Sequence, residues 1–287
     1  MLIDLQFHST YSDGYLTPSG LVKFIAKQGV KVATLTDHNT VDGLREFKRA
    51  CRAHKIKPIN GLELYVKSGN KKFNLLWFNF DDKNHDLRAL LRGIQIRRRA
   101  RVRFILKKLA HSGFKINVNK IINKHTRYIP LNHIADEIWK IPHNRAKIKN
   151  KLRNKKPRED DIIKACFYNK GAGILKESYI DIARVIKLKE KIGGQLVINH
   201  PGKYKFLPID VFKKLKKMGI DGIEVLSPHH SVGAVMYAQF MAQELKFIMS
   251  GGSDFHRFEG RNYKVHNSWQ YFKIDSKLLR GVEKIIG

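Results

Sequence analysis

The chain has 287 residues, of which 43% are hydrophobic. That suits one large folded domain with room for an insertion, and it excludes a globally disordered chain. Lys and Arg number 56 against 25 Asp and Glu, a net charge of +31 that points toward polyanionic partners and above all nucleic acid.

The N-terminal MLIDLQFHS has no basic stretch followed by an apolar one, so it does not read as a secretion signal. No apolar run reaches the roughly 18 residues of a membrane span. LIDLQF reads as a first strand. In TPSGLVKFIAKQG, Thr17 is placed to cap a helix, Pro18 suits its first position, Leu21, Val22 and Ile25 form its apolar stripe, and Gly29 closes it. VKVATLT is a second strand, TVDGLREFKRACRAHK a second helix, and PINGLELYV and KFNLLWFNF two further strands, with Trp77, Phe78 and Phe80 as core. After an interruption the rhythm returns: strand QLVIN, helix IDVFKKLKKM, strand IDGIEVLS, helix AVMYAQFMAQEL and strand KFIMSGG, with SWQYFKI as a possible late addition. Seven strands alternating with helices predict a parallel sheet, open or closed into a barrel, formed by residues 1–83 and 191–287. Residues 84–190 form a basic helical insertion. Within it, IRRRARVRFILKKLAHSGF sets Ile105, Leu106 and Leu109 on one face and arginines on the other, and Lys147 to Arg158 carries seven basic side chains. Cys51 and Cys166 form no C-x-x-C pair, which suits reduced thiols in a cytoplasmic protein.

In a parallel barrel, reactive side chains collect where strands run into the following loops. The first strand runs into His8 and Asp13, the second into Asp37 and His38, and the third contains Glu63. The later strands deliver His200, then Glu224 with His229 and His230, then Asp254 with His256. Histidine and carboxylate at so many strand ends point to a metal site, and mixed ligation of this kind suits Zn, Mn or Fe.

DLQFHSTYSDG, TLTDHNT, GLEL, INHPG and SGGSDFH resemble, in that order, the motifs of the polymerase and histidinol phosphatase (PHP) domain family. The likeness is to its branch of nucleotide and RNA 5′-end phosphoesterases, which also carries an arginine-rich helix and a segment like PLNHIADEI. The resemblance implies an α/β fold, a distorted seven-stranded (β/α)7 barrel with a helical insertion. It also implies a divalent-metal centre and substrates such as nucleoside 3′,5′-bisphosphates or short RNA 5′ ends. By resemblance, one metal falls on positions 6, 8, 63 and 254, a second on 63, 74 and 200, and a third on 13, 38 and 256. His8, Asp13, His38, Glu63, His200, Asp254 and His256 match; Gln6 and Asn74 stand where the pattern has histidine. An amide oxygen is a poorer ligand than imidazole for Zn or Mn, so both positions are weakened and one or two ions are expected rather than three. Glu63, His200, Asp254 and His256 are the expected catalytic groups, and Arg98 and His133 the expected contacts to substrate phosphate. The expected activity is hydrolysis of nucleotide or RNA phosphoesters. The alternative is a degenerate relative that binds nucleic acid or phosphorylated ligands without turnover. A hydrolase of small non-nucleotide phosphate esters is disfavoured by the basic insertion.

Overall fold

The computed structural model describes residues 1–169, 173–203, 207–258 and 273–287. In chain order it holds β1 (Leu2–Phe7), α1 (Pro18–Lys27), β2 (Val32–Leu35), α2 (Leu44–Ala53), β3 (Lys57–Ser68), β4 (Lys71–Phe78) and α3 (His85–His111). Next come α4 (Val118–Asn123), α5 (Leu131–Lys140), α6 (Pro142–Leu152), α7 (Glu159–Phe167), β5 (Tyr168–Asn169), β6 (Gly173–Ile174), β7 (Ile180–Asp181) and α8 (Ile182–Ile192). The chain ends with β8 (Gln195–Ile198), α9 (Ile209–Lys217), β9 (Gly222–Leu226), α10 (Val232–Glu244), β10 (Ile248–Gly251), β11 (Ile274–Asp275) and α11 (Glu283–Ile286). Two compact units emerge, Met1–Ala89 with Tyr179–Gly287, and Leu90–Ser178.

The first unit is a nearly closed sheet in the order β10-β9-β8-β4-β3-β2-β1-β11, with β7 added beside β3. The seven expected strands form its ring. Closure comes where β1 meets the segment after β10: Asp254 N–H donates to Gln6 O at 3.0 Å and His8 N–H to Phe255 O at 2.9 Å. Gly252 permits this approach, because a Cβ there would lie 2.5 Å from Gln6 N. Along β1 the side chains alternate. Ile3, Leu5 and Phe7 are fully buried, with Phe7 edge-on to Phe47 of α2, while Asp4 and Gln6 occupy the opposite face and are equally buried. The helices form as their sequences dictate: the Thr17 hydroxyl accepts from Gly20 N–H at 3.1 Å, and Leu21, Val22 and Ile25 are buried.

The sheet is not wholly parallel. β1, β2 and β3 run parallel, as do β8, β9 and β10, but β4 is antiparallel to both β3 and β8. The reason is local. Only Gly69 and Asn70 separate β3 from β4, and a parallel return needs a crossover of a dozen or more residues. The SWQYFKI strand falls mostly outside the described residues; Ile274 begins β11, antiparallel to β1.

The second unit starts within α3, at Leu90, and it ends before β7, whose Ile180 pairs with Val66 of β3. Its core gathers Val102, Ile105, Leu106 and Leu109 of α3 against Ile134 and Ile138 of α5, Ile148 of α6 and Phe167 of α7. It carries 24 of the 56 basic residues and 6 of the 25 acidic ones, so +18 of the +31 net charge lies here. Cys51 and Cys166 are free and buried, and burial pushes both thiols up to about 12. Among the described residues no helix is long and apolar enough to cross a membrane.

Candidate metal centre

The strand ends of the ring bring together the rim residues expected from the sequence. The loop after β1 folds back on itself: Ser12 N–H and Gly14 N–H both donate to Ser9 O, at 2.9 and 3.0 Å. A Cβ on Gly14 would sit 2.1 Å from His8 O, so the turn that presents Asp13 admits glycine alone. Asp37 is the anchor of this loop. Its Oδ1 accepts from Ser9 N–H at 2.8 Å and Ser12 Oγ at 2.6 Å, and its Oδ2 from Ser9 Oγ at 2.7 Å. β2 and β3 are tied just above by Asn39 N–H donating to Glu63 O at 2.9 Å, which sets His38 beside Glu63. His200 and Asp254 adopt left-handed backbone conformations, φ 25° and 47°, an unfavourable geometry of the kind that clusters at functional sites.

Two overlapping donor sets result. Around Asp13, His38 Nε2 lies 3.4 Å from Oδ2, His256 Nε2 3.4 Å from Oδ1, and His8 Nδ1 3.5 Å from Oδ1. In the second set, His8 Nε2 lies 3.1 Å from both Glu63 Oε2 and Asp254 Oδ1. Within each set the ligand atoms lie within 4.8 Å of one another. The rings of His38 and His256 flank that of His8, with centroids 4.6 and 4.2 Å away. His200 joins from β8, its Nε2 3.4 Å from Glu63 Oε1.

The charges interlock. Burial alone would raise the Asp13 carboxyl, but His38, His256 and His8 hold it well below the usual carboxylate range. Burial is likewise overridden at Glu63 by His38, His200 and His8, and at Asp254 by His256, His229 and His8, so both stay ionised. The reverse holds for His8: burial works against its cationic form, but Asp254, Glu63 and Asp13 raise it well above an ordinary imidazole. Behind them, burial raises Glu224 strongly and Asp4 to about 7.

The Asp13 set fits a divalent ion. It offers one carboxylate and three imidazoles, and His8 Nδ1 is a fully buried nitrogen with no hydrogen-bond partner, which a metal would satisfy. The two weakened positions are now visible as donors: Gln6 Nε2 donates to Asp254 Oδ1 at 2.9 Å and to Glu63 Oε2 at 3.3 Å, and Asn74 Nδ2 to Glu63 Oε1 at 2.6 Å.

Two further residues join the cluster, one from the INHPG motif and one from the loop after β9. Asn199, next to His200, donates to Glu63 Oε1 at 2.7 Å, and His229 Nε2 lies 2.6 Å from Asp254 Oδ2. Arg98 and His133 belong to the second unit. Arg98 is buried there, paired with Glu177, donating to Ile129 O at 2.8 Å and stacked over Tyr128 at 4.6 Å. Arg99 likewise donates to Ile122 O and His125 O, and Arg101 to Ser178 Oγ. His133 is half-buried near the start of α5, its ring 6.2 Å from that of His125.

A near-closed α/β ring with imidazoles and carboxylates gathered on one rim carries the donor set of a metal site. Residues 4–109 match the PHP domain. Three characterised proteins align over almost the whole chain. A phosphoribosyl 1,2-cyclic phosphate 1,2-diphosphodiesterase of Eggerthella lenta is 24% identical, over 91% of this chain and 96% of that protein. A 5′-3′ exoribonuclease of Haemophilus influenzae is 28% identical over 88% and 89%. A 3′,5′-nucleoside bisphosphate phosphatase of Chromobacterium violaceum is 26% identical over 88% and 87%. The fold matches a crystal structure from Bifidobacterium adolescentis, of a protein provisionally described as a metal-dependent phosphoesterase, with a TM-score of 0.77 at 22% identity over 91% of this chain and 89% of that one.

Proposed function

We propose that this protein is a metal-dependent phosphoesterase that hydrolyses nucleotide phosphates or RNA 5′ ends in the cytoplasm. The observation that carries the reading is the cluster of His8, Asp13, His38 and His256 on one barrel rim, within ligating distance of one another. Support for the substrate class comes from the exoribonuclease and bisphosphate phosphatase among the relatives, and from the +18 charge of the second unit. A bound Mn, Zn or Fe ion supplies Lewis acidity toward the phosphoryl oxygens.

The chain's own groups do the rest. Asp13, partly exposed, orients His38 and His256. His256, partly open to solvent, presents Nε2 to the ion at the rim beside Asp13, its Nδ1 being held at Asp254 O. Glu63 and Asp254 fix His8 from behind, and His200 approaches Glu63 from the opposite side. Arg98 and His133 are kept as the contacts to a substrate phosphate, Arg98 on leaving Glu177.

The test is release of phosphate or mononucleotide from a 5′-phosphorylated oligoribonucleotide and from a nucleoside 3′,5′-bisphosphate, with Mn or Zn added and with Asp13→Asn as control. Metal-dependent turnover that disappears in the variant is expected. Tight binding of both substrates with no turnover would establish a second reading, a degenerate relative that binds phosphorylated ligands. That reading is favoured by one observation, the amide donors occupying Glu63.

A further inference from the structure

We propose that this chain holds a single divalent ion, on Asp13, His38, His256 and Nδ1 of His8, and that Gln6, Asn74, Asn199 and His229 hold Glu63 and Asp254 in a metal-free hydrogen-bonded cluster.

The lone pairs of the two buried carboxylates are already engaged. Glu63 Oε1 accepts from Asn74 at 2.6 Å and from Asn199 at 2.7 Å. Glu63 Oε2 accepts from Gln6 at 3.3 Å and lies 3.1 Å from His8 Nε2. Asp254 Oδ1 accepts from Gln6 at 2.9 Å and lies 3.1 Å from the same His8 nitrogen, while Oδ2 lies 2.6 Å from His229 Nε2. A carboxylate has about four lone-pair sites, so every oxygen of the two carboxylates already faces nitrogen donors. A cation there needs the same lone pairs. To become ligands, Gln6 and Asn74 must turn their amides over, and each turn strips hydrogen bonds from a buried charge. An amide oxygen then gives Mn or Zn less than imidazole does.

The same distances assign the nitrogens of His8. Nε2 sits between two carboxylate oxygens and keeps its proton there. Nδ1, buried, without a hydrogen-bond partner and 3.5 Å from Asp13 Oδ1, is the nitrogen that gives up its proton to take the ion. His8 is thus a ligand on the Asp13 side only. Glu63 and Asp254 become the carboxylates behind a metal-bound histidine, which fix its tautomer and ring orientation. A carboxylate pair that could have bridged ions instead supports one.

Ion count and position can be measured without turnover, so the test stands apart from the phosphoesterase reading. The full chain is stripped, dialysed against Mn or Zn, and analysed for metal by elemental analysis and titration calorimetry. One equivalent is expected, absent in Asp13→Asn and kept in Glu63→Gln. Gln6→His combined with Asn74→His is expected to raise the count to two or more. Mn electron paramagnetic resonance of the wild-type chain gives a readout free of any folding defect in the variants, and the spectrum of an isolated ion is expected. A spin-coupled pair, two or more equivalents in the wild type, no bound ion at all, or one equivalent that survives Asp13→Asn and vanishes in Glu63→Gln would each overturn it.

Discussion

Asn74 donates to Glu63 Oε1 at 2.6 Å from the neighbouring strand of the β3–β4 hairpin, and Glu63 is completely buried. A buried charge that loses a hydrogen bond is costly. Asn74→Ala is expected to lower unfolding stability in metal-free buffer by about 1–3 kcal/mol. Asn74→Asp should cost more, because it sets two carboxylates side by side. Urea unfolding followed by circular dichroism measures both. An alanine variant as stable as wild type would mean that Asn199 alone satisfies Oε1.

Metal removal should weaken the fold as well as the activity. An ion bound only by the native state stabilises it by about 2.7 kcal/mol when free metal is at about 100 times the dissociation constant. Chelation is therefore expected to lower the melting temperature of the wild type and to leave that of Asp13→Asn unchanged. Calorimetric scans with and without chelator make the comparison.

The seven strands of the ring were legible because each is an apolar run bounded by turn residues. The direction of β4 was not, because strand and helix alternation suggests parallel pairing, and only the two-residue link at Gly69 and Asn70 betrays a hairpin. The rim was legible at His8, Asp13, His38 and His256, whose residue types suit ligation and which the structure brings together. The roles of Asn199, His229 and Asp37 were hidden, since an amide, a loop histidine or a carboxylate gains its role only from what the tertiary register sets opposite. The surroundings of the α3 arginines were hidden for a related reason. Helical periodicity separates a polar face from an apolar one, but it cannot reveal that the polar face meets Glu177 and the carbonyls of Ile122, His125 and Ile129.

Arg98 provides a direct contrast between two roles. Its guanidinium is buried against Glu177, and breaking a buried pair from one side typically costs about 3–5 kcal/mol. Arg98→Ala is expected to destabilise the chain by that order, with the change visible in thermal melts without substrate. A variant of unaltered stability but raised KM for a phosphorylated substrate would instead establish Arg98 as a phosphate ligand.

Lys147, Lys151, Arg153, Lys155, Lys156 and Arg158 are exposed along and beyond α6. If this run meets RNA phosphates, replacing several of them with glutamine should weaken binding alike for all sequences. It should also flatten the slope of log affinity against log salt by about 0.7 for each single-strand phosphate no longer neutralised. Fluorescence anisotropy across a salt series reads the slope, and an unchanged slope would reduce the run to a solvated surface.

Asp4 predicts a pH effect. Burial raises its carboxyl to about 7, against about 4 in an unfolded chain. The native state therefore keeps its proton over a range where the unfolded state loses it, and stability from this residue falls as pH rises from about 4 to 7 and is level above. Asp4→Asn cannot ionise. Relative to that variant, the wild type should lose stability across this window, as measured by melting temperature at successive pH values. A constant difference would show that Asp4 ionises normally.

The glycine turn at residue 14 has a bearing on how this centre can change over time. With no room for a Cβ against His8 O, and with Ser9 and Ser12 fastened to Asp37, the loop that presents Asp13 behaves as a casting of fixed shape. Substitutions there are expected to break the centre outright rather than shade its preferences. Variation in metal choice among descendants of this sequence would then accumulate at His38 and His256, while the first loop persists as the unvarying part of the inheritance.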